Sequence, residues 1–187
     1  MMYKAIDVGC GKGDGFIKDF MHEYFPEWDG QIEITRLDGD PEVEPDILHD
    51  LMTPMPEELK GQFDFVYMSH VLEHIPWQDS LSVAREVSSL VKEGGYFLIL
   101  VPNLEWAAKE ILRGNFTTTL MVFLYGTQTD RWQYHYCGFT KPALKVLADR
   151  IEMSIYAMKE SPILTIAAGR VENGLQHELL LRKVTKT

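Results

Sequence analysis

A glycine-rich turn directly after the first apolar segment sets the strongest limit on what this chain can fold into. The segment Tyr3–Val8 is short and apolar-rich, and it runs into Gly9-Cys10-Gly11-Lys12-Gly13. Glycine adopts backbone conformations that other residues avoid, so the sequence predicts a strand ending in a tight turn with exposed peptide N–H groups. Apolar residues at helical spacing follow as far as Pro26, which completes a strand–turn–helix unit.

The next segments continue this alternation of strand and helix. Four apolar runs have the length of strands: 32–37, 46–49, 63–68 and 96–101. The last two are apolar on both faces, as in a covered parallel sheet. A helix is predicted from Leu81 to Val91 with Gly94-Gly95 as its stop signal, and another after the N-cap residue Thr140.

The C-terminal part of the chain changes character. Three strands are predicted at 154–159, 163–171 and 175–184, and Glu172-Asn173-Gly174 is expected to join the last two as a hairpin turn. Alternating strands and helices followed by an antiparallel pair predict an α/β domain with a mixed sheet.

Residues 103–136 interrupt the alternation. A helix is predicted at 104–112, and the remainder has no clean period. The segment is rich in aromatic residues: Trp106, Phe116, Phe123, Tyr125, Trp132, Tyr134 and Tyr136. Such an insertion beyond a strand end either forms a lid or pocket wall, or covers the sheet edge or a subunit interface such as that of a homodimer.

Composition narrows the class of protein. A chain of 187 residues favours a single domain over 1–187, and its net charge of -10 disfavours binding to nucleic acid and to anionic membranes. The two cysteines, Cys10 and Cys137, lack the spacing of a thiolate zinc site and suit a reducing compartment. Without a signal-peptide core or an apolar run of about 20 residues, the chain is expected to be cytoplasmic.

The glycine turn excludes two common nucleotide sites. Asp14 stands where a dinucleotide fingerprint needs its third glycine, and Lys12 is followed by Gly13 rather than by the Ser or Thr of a P-loop. The carboxylate of Asp7 instead suits an amino-acid ammonium group. Asp38, at the end of the second strand, is placed to accept hydrogen bonds from ribose hydroxyls. The alternative is a glycine turn that only lets strand and helix pack closely.

Six motifs occur in order along the chain: Asp7-Val8-Gly9-Cys10-Gly11-Lys12-Gly13, Leu37-Asp38, His49-Asp50-Leu51, Phe63-Asp64-Phe65-Val66, Ser69-His70-Val71-Leu72-Glu73-His74 and Leu90-Val91-Lys92-Glu93-Gly94-Gly95. In this order they resemble the motifs of class I S-adenosylmethionine-dependent methyltransferases, closest to small methyltransferase-domain proteins with a VLEH segment after the fourth strand. The resemblance implies a Rossmann-like three-layer α/β sandwich, with a mostly parallel seven-stranded sheet and an antiparallel C-terminal hairpin strand. It also implies S-adenosylmethionine as cofactor and S-adenosylhomocysteine as product.

The resemblance also implies roles for individual residues. The methionine portion would be held by Asp7 and by the loop residues Gly9, Cys10, Gly11 and Gly13. Asp38 would bind the ribose, Asp50 and Leu51 the adenine, and Ser69 with His70 would line the floor beneath the sulfonium. Three alternatives stay open: Asp40 competes for the ribose, both Asp38 and Asp40 suit an Asx turn before Pro41, and Asp50 suits a turn cap. Cys10 is either a thiolate favoured by a helix N-terminus or a small core residue.

The histidines allow a rival interpretation. His70-Val71-Leu72-Glu73-His74 also spells H-x-x-E-H, the inverted zinc-peptidase motif, but Pro76 follows within one turn and such a site needs a longer helix. We therefore expect no metal, and a structural role for His74. His70 and His135 are the candidate catalytic bases, with a surface position as the alternative for His135.

The resulting hypothesis is a methyltransferase that acts on a small or medium-sized acceptor by in-line displacement. A binding or scaffold protein that keeps the same fold is the alternative.

Overall fold

The computed structural model of the chain describes residues 2–12, 16–167 and 170–184. Within these residues, seven strands form one sheet: β1 Tyr3–Val8, β2 Ile32–Asp38, β3 Ile47–Leu48, β4 Phe63–Ser69, β5 Val91–Pro102, β6 Ser154–Ala167 and β7 Arg170–Arg182. Their order is β3-β2-β1-β4-β5-β7-β6. The strands β1 to β5 are parallel, and β7 runs antiparallel to both β5 and β6. The predicted mostly parallel sheet with an antiparallel C-terminal hairpin is confirmed.

Five α-helices cover the sheet in the described part of the chain: α1 Ile17–Tyr24, α2 Ser80–Ser89, α3 Leu104–Leu112, α4 Thr118–Tyr125 and α5 Lys141–Arg150. Successive strand residues point to opposite faces, so each buried strand feeds two apolar layers. Ala5 and Phe65 belong to the layer beneath α1, whereas Ile6 and Val66 belong to the layer beneath α2 and α5. This gives the expected three-layer sandwich. None of the helices described is long and apolar enough to cross a membrane.

The predicted end of the helix before β5 is wrong. Helix α2 ends at Ser89, and Gly94-Gly95 lies inside β5, which begins at Val91. The carbonyl groups of Ser89 and Leu90 do not accept hydrogen bonds from a further helical turn. Ser89 O accepts from the Gly61 amide, and Leu90 O accepts from the Phe63 amide at the start of β4. Val91 then pairs with Phe63 in the sheet.

The predicted C-terminal turn is also wrong. Glu172-Asn173-Gly174 lies within β7, where Asn173 pairs with Leu164, and β6 and β7 are two long strands rather than parts of three. A Cβ atom on Gly174 would lie 3.0 Å from the ring of Phe123 on α4. Gly174 therefore provides room for a close approach instead of a turn.

The aromatic insertion contains one predicted helix and one that the sequence did not predict. Helix α3 is confirmed, and the Asn103 side chain caps it by accepting from the Trp106 amide at 2.8 Å. Helix α4 was missed because it is apolar on most sides, so no helical period stands out. Leu120 and Phe123 of α4 pack with Ala107 of α3 in a small separate core.

Candidate functional site

A large cleft opens at the C-terminal ends of β1, β2 and β4. Its volume is about 1180 Å³, and it is lined by residues from 9–12, 38–43, 50–52, 70–71, 74–76 and 127–136. Strands β2 and β3 lie on one side of β1, and β4 and β5 lie on its other side, so the strand order reverses next to β1. Open α/β sheets bind ligands in the crevice at such a switch point.

The glycine turn forms one edge of this cleft. Gly9 and Gly11 have φ angles of +74° and +58°, a region that residues with a side chain adopt at a cost. A Cβ atom on Gly9 would lie only 2.3 Å from Cγ2 of Val71, whereas nothing lies within 4 Å of one on Gly11. Gly9 is therefore required for close packing as well as for its backbone angle. Gly13 lies outside the described residues.

Asp38 ties this turn to the end of β2. Its Oδ2 accepts from the Gly11 amide at 2.9 Å, and its Oδ1 accepts from the Asp40 amide at 2.9 Å. The guanidinium of Arg36, which the sequence analysis did not single out, donates to Gly11 O at 2.8 Å. Each carboxylate oxygen of Asp38 keeps a second lone pair, so the side chain can still accept from a ligand hydroxyl.

Asp40 and Asp50 both occupy the turn positions that the sequence analysis kept as alternatives. Asp40 Oδ1 accepts from the Glu42 amide at 3.0 Å, and Asp50 Oδ1 accepts from the Met52 amide at 2.9 Å. Both aspartates line the cleft, as does Leu51. A capping role and a ligand role are compatible here, since each carboxylate has a second oxygen.

Three predicted cofactor residues, Asp7, Cys10 and Ser69, lie outside the cleft lining. Asp7 is 4% exposed, and its burial is the main reason why its pKa is raised to about 6. The positive charge of Arg36 opposes this rise in pKa, and the negative charge of Asp38 adds to it. Burial also raises the pKa of the Cys10 thiol. A reactive thiolate needs the opposite shift, so the structure favours the core-residue interpretation of Cys10.

His70 lines the cleft floor in a strained backbone conformation, with φ at +53°. Its Nδ1 lies 3.0 Å from Glu73 Oε1, and its Nε2 lies 2.8 Å from Gln176 Oε1. Burial lowers the pKa of His70, but the bonds and charge of Glu73 and the bond to Gln176 raise it more, so the net pKa shift is upward. With both nitrogens facing oxygen acceptors, this arrangement does not provide the general base that the sequence predicted.

His135 lies away from the cleft. It is absent from the cleft lining and borders a separate cavity of about 20 Å³. Its Nδ1 donates to Phe123 O at 3.0 Å, and its ring packs edge-on against His74 at 4.7 Å between centroids. Burial lowers the pKa of His135, which keeps the ring neutral. His135 therefore does not line the cleft, and its role as a catalytic base stays a prediction.

The H-x-x-E-H segment does not form the zinc-peptidase arrangement. Leu72–His74 is a single 3₁₀ turn rather than a long helix, and both ring nitrogens of His70 are occupied within the protein. Glu73 and His74 instead lie close to His135, with one potential ligand atom of each within 4.8 Å of the others. Sequence spacing contains no signal for this grouping, because His135 comes from the far end of the insertion.

The last part of the aromatic insertion forms a wall of the cleft. Thr127, Thr129 to Gln133 and Tyr136 all line it. A Cβ atom on Gly39 would lie 3.3 Å from Trp132 Cη2, so this ring packs directly on the corner between Asp38 and Asp40. The guanidinium of Arg131 stacks over Trp132 at 4.2 Å. We call residues 127–136 the aromatic wall.

Comparisons with known proteins agree with this arrangement. A family model described as a methyltransferase domain matches residues 4–151. A sequence search of curated proteins finds no significant match.

Solved structures share the fold at low identity. A methyltransferase from Methanosarcina mazei has a TM-score of 0.66 at 16% identity, with 99% of this chain and 94% of that chain covered. One from Archaeoglobus fulgidus has a TM-score of 0.60 at 16% identity, covering 97% and 86%. The 1,6-didemethyltoxoflavin-N1-methyltransferase of Burkholderia thailandensis, solved with 1,6-didemethyltoxoflavin and S-adenosylhomocysteine, has a TM-score of 0.57 at 14% identity, covering 98% and 72%.

The family match spans most of the sheet and the glycine turn, and the fold likeness extends over almost the whole chain. The protein therefore belongs to the methyltransferase domain family, as a class I S-adenosylmethionine-dependent methyltransferase.

Proposed function

We propose that the protein transfers a methyl group from S-adenosylmethionine to a small or medium-sized acceptor held in the cleft beside the aromatic wall. The observation that carries this proposal is the size and composition of the cleft. Its volume of about 1180 Å³ exceeds the ~300–1,000 Å³ of most ligand pockets, which leaves room for a second molecule beside the cofactor. Aspartates from the strand ends and the aromatic wall line the same cleft, and Trp132 packs on Gly39 between Asp38 and Asp40.

The residues present suit this cofactor. Asp38 is assigned to the ribose, with Asp40 as its competitor, and Asp50 and Leu51 are assigned to the adenine. The open space above Gly11 accommodates the methionine portion next to the turn. When bound, S-adenosylmethionine supplies a methyl group on a positively charged sulfur. An acidic lining stabilises that charge and the ammonium group, and it disfavours phosphates.

The buried residues around the turn act at a distance from the ligand. Asp7 is buried in β1, Cys10 is buried within the turn itself, and Ser69 ends the neighbouring strand. We assign to these residues, and to Gly9 packed on Val71, the task of holding the turn in shape. Gly13 is assigned to the methionine portion from its motif position.

Alignment and exclusion of water are the main contributions of the chain to the reaction. Holding two reactants in position contributes on the order of 7–11 kcal/mol in favourable model systems. His70, fixed between Glu73 and Gln176, keeps the cleft floor in one geometry.

Calorimetric titration with S-adenosylmethionine and S-adenosylhomocysteine tests the cofactor site. We expect the native chain to bind both, and Asp38→Asn to bind about 10- to 100-fold more weakly, since a hydrogen bond to a charged group is lost. Asp149→Asn changes an exposed aspartate on α5 and serves as the control. Absence of heat in the native chain would overturn the proposal.

Transfer of a labelled methyl group separates an enzyme from a scaffold with the same fold. The chain is incubated with labelled cofactor and a cell extract, and the label is followed in the small-molecule, protein and nucleic-acid fractions. We expect label in the small-molecule fraction. Label in a macromolecular fraction would contradict the proposed acceptor class, and cofactor binding without any transfer would indicate a scaffold.

A further inference from the structure

Glu73, His74 and His135 form a cluster at the junction of the β4 end and the aromatic wall. One carboxylate oxygen and one ring nitrogen of each histidine lie within 4.8 Å of one another. Backbone contacts hold the two segments together. The Tyr136 amide donates to Glu73 O at 2.8 Å, and His74 Nδ1 donates to Tyr134 O at 3.0 Å, so both neighbours of His135 are tied to the 72–74 turn.

The hydrogen bonds of the two histidines define which nitrogen of each ring is free. His74 Nδ1 bonds to the Tyr134 carbonyl and His135 Nδ1 bonds to the Phe123 carbonyl. A carbonyl only accepts, so both Nδ1 atoms carry the proton, and each neutral ring keeps a lone pair on Nε2. Histidines that bind metals usually have this arrangement, with the other ring nitrogen donating to a carbonyl or carboxylate.

Glu73 contributes a buried oxygen that has no partner. Its side chain is 1% exposed, and its Oε1 is held by His70 Nδ1. In the part of the chain that the structure describes, Oε2 has no hydrogen-bond partner. An unsatisfied buried carboxylate oxygen is costly and calls for an explanation, and a bound cation is one.

We propose that Glu73 Oε2, His74 Nε2 and His135 Nε2 bind one divalent first-row metal ion, of which Zn²⁺ is the best match. Two imidazoles and one carboxylate suit Zn²⁺ and its neighbours, whereas Mg²⁺ and Ca²⁺ prefer ligand sets made of oxygen. Ligand atoms around tetrahedral Zn²⁺ stand about 3.4 Å apart for bonds of ~2.0–2.2 Å. The present separations are at most 4.8 Å, so each pair of ligand atoms needs to close by no more than about 1.4 Å.

The arrangement leaves a fourth coordination position. Three protein ligands with an open position are typical of catalytic rather than structural zinc sites. Of the three ligands, His74 lines the cleft. We assign the open position to the cleft side, where water or a heteroatom of a bound molecule would occupy it. The site does not depend on the proposed methyl transfer, and it departs from the expectation of no metal.

This site differs from the zinc motif read in the sequence. H-x-x-E-H assigns the two ligands to His70 and His74, but both nitrogens of His70 bond to protein atoms. His70 is therefore a positioning residue that orients the Glu73 carboxylate, and His135 takes the place of the second histidine ligand.

Metal titration of the chelator-treated chain tests the proposal. We expect one equivalent of Co²⁺ to bind and to produce visible d–d absorption, and Zn²⁺ to displace it, whereas Mg²⁺ does not. His74→Gln and His135→Gln are expected to weaken Co²⁺ affinity at least about 100-fold. His22→Gln removes an exposed histidine that bonds to Asp29 and should leave the affinity unchanged.

Residue-resolved chemical modification keeps the test decisive where a variant fails to fold. The native chain is treated with diethyl pyrocarbonate with and without Zn²⁺, and each histidine is followed by mass spectrometry. Protection of His74 and His135, with His22 and His49 unprotected, supports the site. Absence of a saturable Co²⁺ band, unchanged affinity in folded His135→Gln, or equal reactivity at His74 and His135 with and without Zn²⁺ would overturn it. Cofactor titration is a separate measurement, so failure of one proposal leaves the other intact.

Discussion

The Gly11 amide donates a hydrogen bond of 2.9 Å to the Asp38 carboxylate, and this contact joins the turn after β1 to the end of β2. The bond fixes the position of the turn relative to β2. A carboxylate therefore occupies a peptide N–H group of the kind that binds phosphate in a dinucleotide site. The same contact therefore shapes the candidate cofactor site and disfavours phosphate ligands there.

Gly9→Ala is expected to destabilise the fold by about 3 kcal/mol or more. The new Cβ would lie 2.3 Å from Val71 Cγ2, in addition to the strain of a φ of +74°. Gly30→Ala is the matched control, because φ is +71° and nothing lies within 4 Å of the added atom. Urea unfolding measures both losses.

The double variant Gly9→Ala, Val71→Ala isolates the clash. Truncation removes both Cγ atoms of Val71 and leaves its Cβ at 3.4 Å, an ordinary contact. The difference between the stability losses of Gly9→Ala and Gly30→Ala measures the cost of the clash. We expect the double variant to recover much of that difference. Equal losses in Gly9→Ala and Gly30→Ala would contradict the role of close packing.

Asp7 should make stability fall as pH rises from roughly 4 to 6. Burial raises the pKa of Asp7 from 3.8 to about 6, so in this window the folded state holds a proton that the unfolded chain has released. Folding then binds protons, and the free energy of unfolding decreases with pH by about 2–3 kcal/mol in total before it levels off.

Asp7→Asn removes this titration. Relative to the native chain, the variant should gain about 2–3 kcal/mol between pH 4 and pH 7 in urea unfolding experiments. Asp149→Asn, at an exposed site, should follow the native profile. Parallel profiles for Asp7→Asn and the native chain would show that Asp7 titrates alike in both states.

Trp132 should report cofactor binding, since its ring packs on Gly39 between the two candidate ribose carboxylates. Trp77 is exposed and does not line the cleft, so Trp77→Phe removes its background fluorescence. Titration of this variant with S-adenosylmethionine is expected to change its remaining tryptophan fluorescence. The change should be largely absent in Trp132→Phe. An equal signal in both variants would place the cofactor away from the aromatic wall.

Local patterns in the sequence predicted much of the fold. The turn after β1, the end of β2 at Asp38 and the N-cap at Thr140 depend on residues close together in the chain, and the structure has all three. The errors at Gly94-Gly95 and at Glu172-Asn173-Gly174 have a common cause. Glycine marks either a turn or a close approach, and only the pairing partner distinguishes them.

Some features of the candidate site could likewise be predicted from local sequence, and others depend on residues far apart in the chain. Asp38, Asp50 and Leu51 come from strand ends and turns that the sequence identifies, and they line the cleft. The protonation and contacts of His70 depend on Glu73 and on Gln176 from a distant strand, and the burial of Asp7 depends on the whole sheet.

The alternation of strands and helices, the glycine turn and the family motifs follow from the amino-acid sequence alone, because they depend on backbone preferences and hydrophobic periodicity within short segments. The position of the end of the insertion against the β4 end is known only from the three-dimensional arrangement. This position brings His135 to Glu73 and His74, and it brings Trp132 to Gly39. Such contacts arise from packing between segments far apart in the chain, and no local period encodes them.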